Sequence, residues 1–289
     1  MKTSTSEFLQ VRGRRCHVRC WGPVDAPALF LLHGWMDVSA SFQFLVDALA
    51  RDWRLLAPDW RGFGQSQWND DAYWFPDYIA DLDALLEVYA PHAPVRLVGH
   101  SLGGNAACLY AGIRPERVER LVTLEGFGLR YTYPGDAPER YAKWLADLRT
   151  SLRNNRYSDR AEFAQRLRRQ NPRLQPAQAE FLAQHLGREE DGGIEVAADP
   201  FHRMPNPVLY RLDDAMACWR RVTAPVLWVA AQNSFIMESF AGEEGEADYR
   251  RRIACFADIR VETVADASHN VHHDQAPMVA RLIEDFFPA

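Results

Sequence analysis

Short apolar runs that alternate with amphipathic stretches constrain this chain more than any other feature. Such alternation marks βαβ units, in which successive strands lie parallel in one sheet and helices cover its faces. "CHVRCWG" (16–22) reads as a strand and "PALFLLHGW" (27–35) as a buried one, with a helix through "SFQFLVDALA" behind it. "WRLLAPDWRG" then supplies a strand and turn, and "DYIADLDALLEVYA" (77–90) a helix with apolar residues at helical spacing. "VRLVGHSLGG" (95–104) is a strand ending in a sharp turn, "NAACLYAGI" the helix behind it, and "VERLVTLEGF" the next strand.

The alternation stops after Gly128. Residues 129–222 are rich in Arg, Gln and Ala at helical periodicity, broken at "QNPRLQP", "EEDGG" and "DPFHRMPNP", and no buried strand is expected among them. Alternation resumes with "APVLWVAAQ" (224–232), a helix around 246–256, the strand "IRVETVA" and a last helix in "APMVARLIEDFF". The pattern predicts one α/β core formed by 1–128 and 223–289, with a mainly helical insertion over 129–222.

Composition excludes several classes of function. A net charge of −6 offers no basic footprint, so a nucleic-acid partner is not expected. The arginines of 149–169 are interrupted by Asp and Glu and read as a solvated helical face. Five scattered cysteines, an odd number, argue against a disulfide framework, and no His/Cys/Asp cluster has metal-ligand spacing, so neither a metal nor a cofactor is implied. The N-terminus has no signal-like apolar run, and no stretch approaches a membrane span of about 18 apolar residues. A cytoplasmic protein without a membrane anchor, acting on a small molecule, is the expectation, and no coiled-coil pattern marks an oligomer.

Gly99-His100-Ser101-Leu102-Gly103 spells G-x-S-x-G between an apolar strand and an Ala-rich helix. In that setting the pattern builds a nucleophile elbow, whose sharp turn lifts the serine above the sheet edge and needs small residues two positions to either side. It also points the Leu102 N–H and the helix N-terminus at the space where an oxyanion would form. With "HGW" (33–35) and "DWRGFGQS" (59–66) at the spacing of successive core strands, the chain resembles the α/β-hydrolase family from about residue 13 onward. That resemblance implies an α/β-hydrolase fold with a mostly parallel central sheet, helices on both sides and an inserted helical cap. It makes the Trp35 N–H the partner of the Leu102 N–H in the oxyanion hole, and gives Asp59 and Arg61 structural roles.

A serine hydroxyl needs a base, nearly always His. His269, in "VADASHNVHHDQAP", stands between the last strand and the final helix, where the family places its imidazole, and His272 is its competitor. The base in turn needs an orienting acid. Most of the family carries an Asp after the strand matching "PVLWVAAQNS", but here that loop reads Ala231-Gln232-Asn233-Ser234. Asn233 or Ser234 as a neutral group, Glu238 reaching back, or Glu125 from the end of "LVTLE" are the alternatives. Glu125 is favoured, because some branches of the family hold their acid there and the order Ser101, Glu125, His269 preserves Ser…acid…His.

Met36 and Phe127, with Trp35 and Leu102, are expected to line the substrate pocket. Cap aromatics such as Tyr131, Tyr133, Tyr141, Trp144, Phe201, Tyr210 and Trp219 are further candidates. The expected reaction is cleavage of a carboxylic ester through an acyl-enzyme. Thioester, lactone or C–C hydrolysis by the same three residues, and non-catalytic small-molecule binding on the same fold, are the other readings.

Overall fold

The computed structural model describes residues 1–69 and 71–287. Its first two strands, β1 (Ser4–Val11) and β2 (Arg14–Trp21), form an antiparallel hairpin, and Arg12 and Gly13 both take positive φ at the turn. This two-residue turn matches the right-handed twist of its strands. Next come β3 (Ala28–Leu32), α1 (Gln43–Ala48), β4 (Arg54–Pro58), α2 (Phe75–Tyr89), β5 (Val95–His100), α3 (Leu102–Ile113) and β6 (Val118–Leu124).

The insertion carries α4 (Ala137–Asp147), β7 (Arg156–Tyr157), α5 (Arg160–Gln170), α6 (Pro176–Leu186), β8 (Gly187–Glu190) and β9 (Gly193–Val196). After it follow α7 (Leu212–Trp219), β10 (Val226–Ala231), α8 (Phe235–Glu238), α9 (Gly242–Ile253), β11 (Ile259–Val264), α10 (Val271–Asp274) and α11 (Ala276–Phe286).

Eight strands make one sheet in the order β1-β2-β4-β3-β5-β6-β10-β11, parallel throughout except where β2 meets β1 and β4. The central strands are nearly unbroken apolar runs because both of their faces are covered. One face packs beneath α2, α3 and α7 through Leu82, Leu86, Ala107, Tyr110, Met216 and Trp219. On the other, Leu45 and Val46 of α1 meet Val279 and Ile283 of α11. Crossover connections then leave the ends of β5, β6 and β10, and the loop after β11, at one edge, where sites in open α/β sheets form.

The insertion departs from expectation in two ways. It contains a three-stranded antiparallel sheet, β7-β9-β8, and "EEDGG" is its hairpin turn, with Asp191 and Gly192 at positive φ. These strands are short and charged, so no apolar run announces them, and the Asp-Gly signal reads as a plain break. The second departure is α7, which packs on α3 closely enough that the Cys218 carbonyl fills the space a side chain at position 112 would need. Residues 212–222 therefore join the core, and the part seated over the strand ends is 129–211. Its own apolar cluster, including Phe163, Leu174, Leu182, Leu186 and Ile194, rests on Val38 and Ala40 of the loop after β3.

Candidate active site

Ser101 sits between β5 and α3 at φ 50°, ψ −112°, a conformation disfavoured for any residue with a Cβ. Close packing holds it there. The Ser101 N–H donates to Leu124 O at 2.9 Å, and a Cβ on Gly99 would come within 2.5 Å of the Gly103 carbonyl carbon. A Cβ on Gly103 would collide with Leu32 O, and one on Gly126 would lie 2.7 Å from Ser101 O. Strand, elbow and the exit from β6 can approach this closely only without those side chains. Met36, Ser101 and Glu125 are three of the six non-glycine residues with positive φ among the described residues, and all three are at this edge. Strained backbone of this kind persists only where its surroundings over-determine it, and it clusters at functional sites.

The fold brings Ser101, His269 and Glu125 into one line. Nε2 of His269 is 3.0 Å from Ser101 Oγ, and Nδ1 is 3.3 Å from Glu125 Oε2. Glu125 is 1% exposed, and its carboxylate crosses the end of β10. There Oε1 accepts the Ala231 N–H at 2.6 Å and Oε2 accepts the Ser234 hydroxyl. A buried charge needs such partners. The loop that lacks a carboxylate thus holds the one arriving from the neighbouring strand. Ser234 supports the acid instead of replacing it, while Asn233 and Glu238 are exposed and Glu238 borders an outer depression beside Arg251 and Arg252. His272 is fully buried, with its ring 4.4 Å from that of His100 and 5.2 Å from that of Phe42.

Two other histidines brace the site. His33 Nδ1–H donates to Gly34 O at 2.7 Å, its Nε2 accepts the Trp60 N–H at 2.9 Å, and burial lowers its pKa to about 4, so the ring stays neutral. His100 Nε2–H donates to the His269 carbonyl at 2.8 Å, which ties the elbow to the loop carrying the base. Asp59 accepts from His17 Nδ1, the Ser39 N–H and the Gln65 N–H, and Arg61 pairs with Asp77 and Asp81. Both are taken up in holding loops.

Leu102 is the first residue of α3, so its N–H has no intrahelical acceptor. The loop after β3 approaches from the other side, where a Cβ on Gly34 would lie 3.3 Å from Ser101 Cβ, and this places Trp35 and Met36 next to the hydroxyl. A cavity of about 180 Å³ opens beside Ser101 and His269, walled by Trp35, Met36, Asp37, His100 and residues of the cap.

Phe127 does not line it. Its ring is 1% exposed and stacks 4.1 Å from Trp228 and 5.8 Å from Trp219, because the chain turns under the sheet edge after Gly126. Neither the Leu102 side chain nor the cap aromatics reach this cavity; Leu167, Leu174, Leu182 and Leu186 from α5, α6 and the turn between them form its cap wall. The i, i+4 pair Leu182 and Leu186 was the available sequence signal, but it looked the same as cap core.

A strained serine at a strand–helix turn, a histidine after the last strand and a buried acid, all at one sheet edge, define a hydrolase-type site. The profile of the alpha/beta hydrolase fold family matches residues 27–276, and the chain belongs to that family. A serine hydrolase-like protein from Danio rerio is 30% identical over 99% of this chain and 89% of its own length. Among solved structures, a thioesterase domain from the curacin biosynthetic pathway has a TM-score of 0.86 at 22% identity, over 97% of this chain and 99% of its own. A novel esterase from Mycobacterium tuberculosis has a TM-score of 0.71 at 22% identity, over 98% of this chain and 90% of its own. These two likenesses are of fold.

Proposed function

We propose that the protein is a serine hydrolase that cleaves carboxylic esters with a short, uncharged acyl group. The reading is carried by the line Ser101 Oγ–His269 Nε2 at 3.0 Å and His269 Nδ1–Glu125 Oε2 at 3.3 Å. Ser101 Oγ attacks the ester carbonyl while His269 Nε2 takes its proton, and Glu125 stabilises the resulting imidazolium. The Trp35 and Leu102 N–H groups receive the oxyanion, each contributing about 3 kcal/mol to the transition state. His269 then protonates the departing alcohol. Water repeats the sequence on the acyl-enzyme and releases the acid.

The leucines of the cap wall and the small volume favour a short apolar group, and among the described residues no Lys or Arg borders the cavity to hold a phosphate. The names of the relatives, a serine hydrolase-like protein, a thioesterase and an esterase, agree with the class of reaction. The five cysteines are unpaired, which suits a reducing compartment such as the cytoplasm.

A fluorophosphonate probe tests the reading. The folded wild type is expected to be labelled and to hydrolyse p-nitrophenyl acetate, and Ser101→Ala to lose both. A folded wild type that neither takes the probe nor turns over short esters would sink the proposal.

A further inference from the structure

Behind the serine lies a polar cluster to which the hydrolase reading gives no part in the chemistry. Asp37, His100 and His272 each present a ligand atom, and these atoms all lie within 4.8 Å of one another. All three residues are buried, at 8%, 2% and 0% exposure. Nδ1 of His100 and both ring nitrogens of His272 have no hydrogen-bond partner among the described residues. Buried polar nitrogens without partners are costly and ask for an occupant.

We propose that Asp37, His100 and His272 bind a divalent transition-metal ion such as Zn²⁺, which enters from the cavity beside Ser101 and inhibits hydrolysis. Two imidazoles and a carboxylate suit Zn²⁺, Co²⁺ or Ni²⁺, whereas Mg²⁺ and Ca²⁺ take oxygen ligands. The supporting hydrogen bonds are those of a ligand set. His100 donates its Nε2–H to the His269 carbonyl, which leaves a lone pair on Nδ1. Asp37 is held by the Ser41 hydroxyl at 2.8 Å and the Val38 N–H at 2.9 Å, with lone pairs to spare. Asp37 and His100 both border the cavity, so an ion has a route in. Spacing along the chain could not reveal the cluster, because its members come from the loop after β3, the end of β5 and the start of α10.

The inhibitory half rests on the proposed esterase reaction. The His100 and His269 rings are 4.9 Å apart, so a dication on His100 opposes formation of the His269 imidazolium.

Calorimetric titration of the EDTA-treated chain with Zn²⁺ tests the binding. One ion per chain is expected, with His269→Ala retaining it and Asp37→Asn and His272→Phe each weakening it by about tenfold or more. In the wild type, the ring-nitrogen resonances of His100 and His272 shift on adding Zn²⁺, a readout independent of how the variants fold. Zn²⁺ slows p-nitrophenyl acetate hydrolysis reversibly with EDTA, and both variants lose sensitivity relative to their own metal-free rates. No stoichiometric ion, unshifted resonances, or unchanged affinity in the folded variants overturns the site, and binding without slowing overturns its inhibitory role. If Zn²⁺ binds as expected but no ester is cleaved, the site stands and the esterase reading fails.

Discussion

Glu125 is where residue-level reasoning reaches furthest. A carboxylate closing an apolar strand has an ordinary explanation as a solvated end, yet this one is buried and accepts from the last N–H of β10 and from Ser234 in the loop after it. Replacing it with Gln keeps the shape but removes the charge that favours the imidazolium. Glu125→Gln is expected to lower kcat on p-nitrophenyl acetate by about 10⁴ with little change in KM, and Glu238→Gln to leave kcat where it was. The reverse result would place the acid at Glu238. Glu125 was legible because a serine and a histidine created a demand that the usual loop did not meet. The Ser234 hydroxyl donating to that acid was not, because nothing in "AAQNS" says which neighbouring strand end its side chains will face.

Elements were legible in proportion to how strongly burial shaped their sequence. The strands β3, β5, β6 and β10 are buried on both faces, so each reads as an apolar run, and the expected mostly parallel sheet is the observed one. In the cap, β7, β8 and β9 span two to four residues with charged side chains outward, and their pairing leaves no periodic trace. The same limit applies to the pocket wall. Phe127 and the cap aromatics are the expected pocket residues, but Phe127 and Trp219 fill core, Tyr131, Tyr133 and Tyr141 are exposed, and leucines of α5 and α6 face the cavity. Leu182, 1% exposed, belongs to both the cap core and that wall. Leu182→Ala therefore costs about 3 kcal/mol of stability, seen as a lower Tm, and raises kcat/KM for hexanoate relative to acetate esters. Unchanged chain-length preference in the folded variant would remove α6 from the specificity determinants.

At the scale of the whole molecule, the buried histidines make stability depend on pH. His33 is enclosed between the loops after β3 and β4, and desolvation holds its pKa at about 4. His202 is sandwiched between Phe63 and Tyr73, with ring centroids 3.8 and 3.6 Å away, and burial holds its pKa at about 3. In the unfolded chain both titrate near 6.5. Between that value and the depressed ones the unfolded state binds more protons, so their contribution is complete above about pH 6.5 and is lost as pH falls toward 4. Asp37 has the opposite sign. Burial pushes it up to about 7, and its contribution, present below its unfolded value of 3.8, is lost as pH rises through 7. Burial also depresses His100, His272 and His273, and together these histidines outweigh one aspartate, so urea unfolding in EDTA is expected to show stability falling from pH 7 to pH 5 by on the order of a few kcal/mol. His202→Phe keeps the stack between Phe63 and Tyr73 while removing the titrating group, and it should flatten that slope. A wild-type profile that is level or rises toward pH 5, or an equally steep profile in His202→Phe, would mean that other groups set the acid limb.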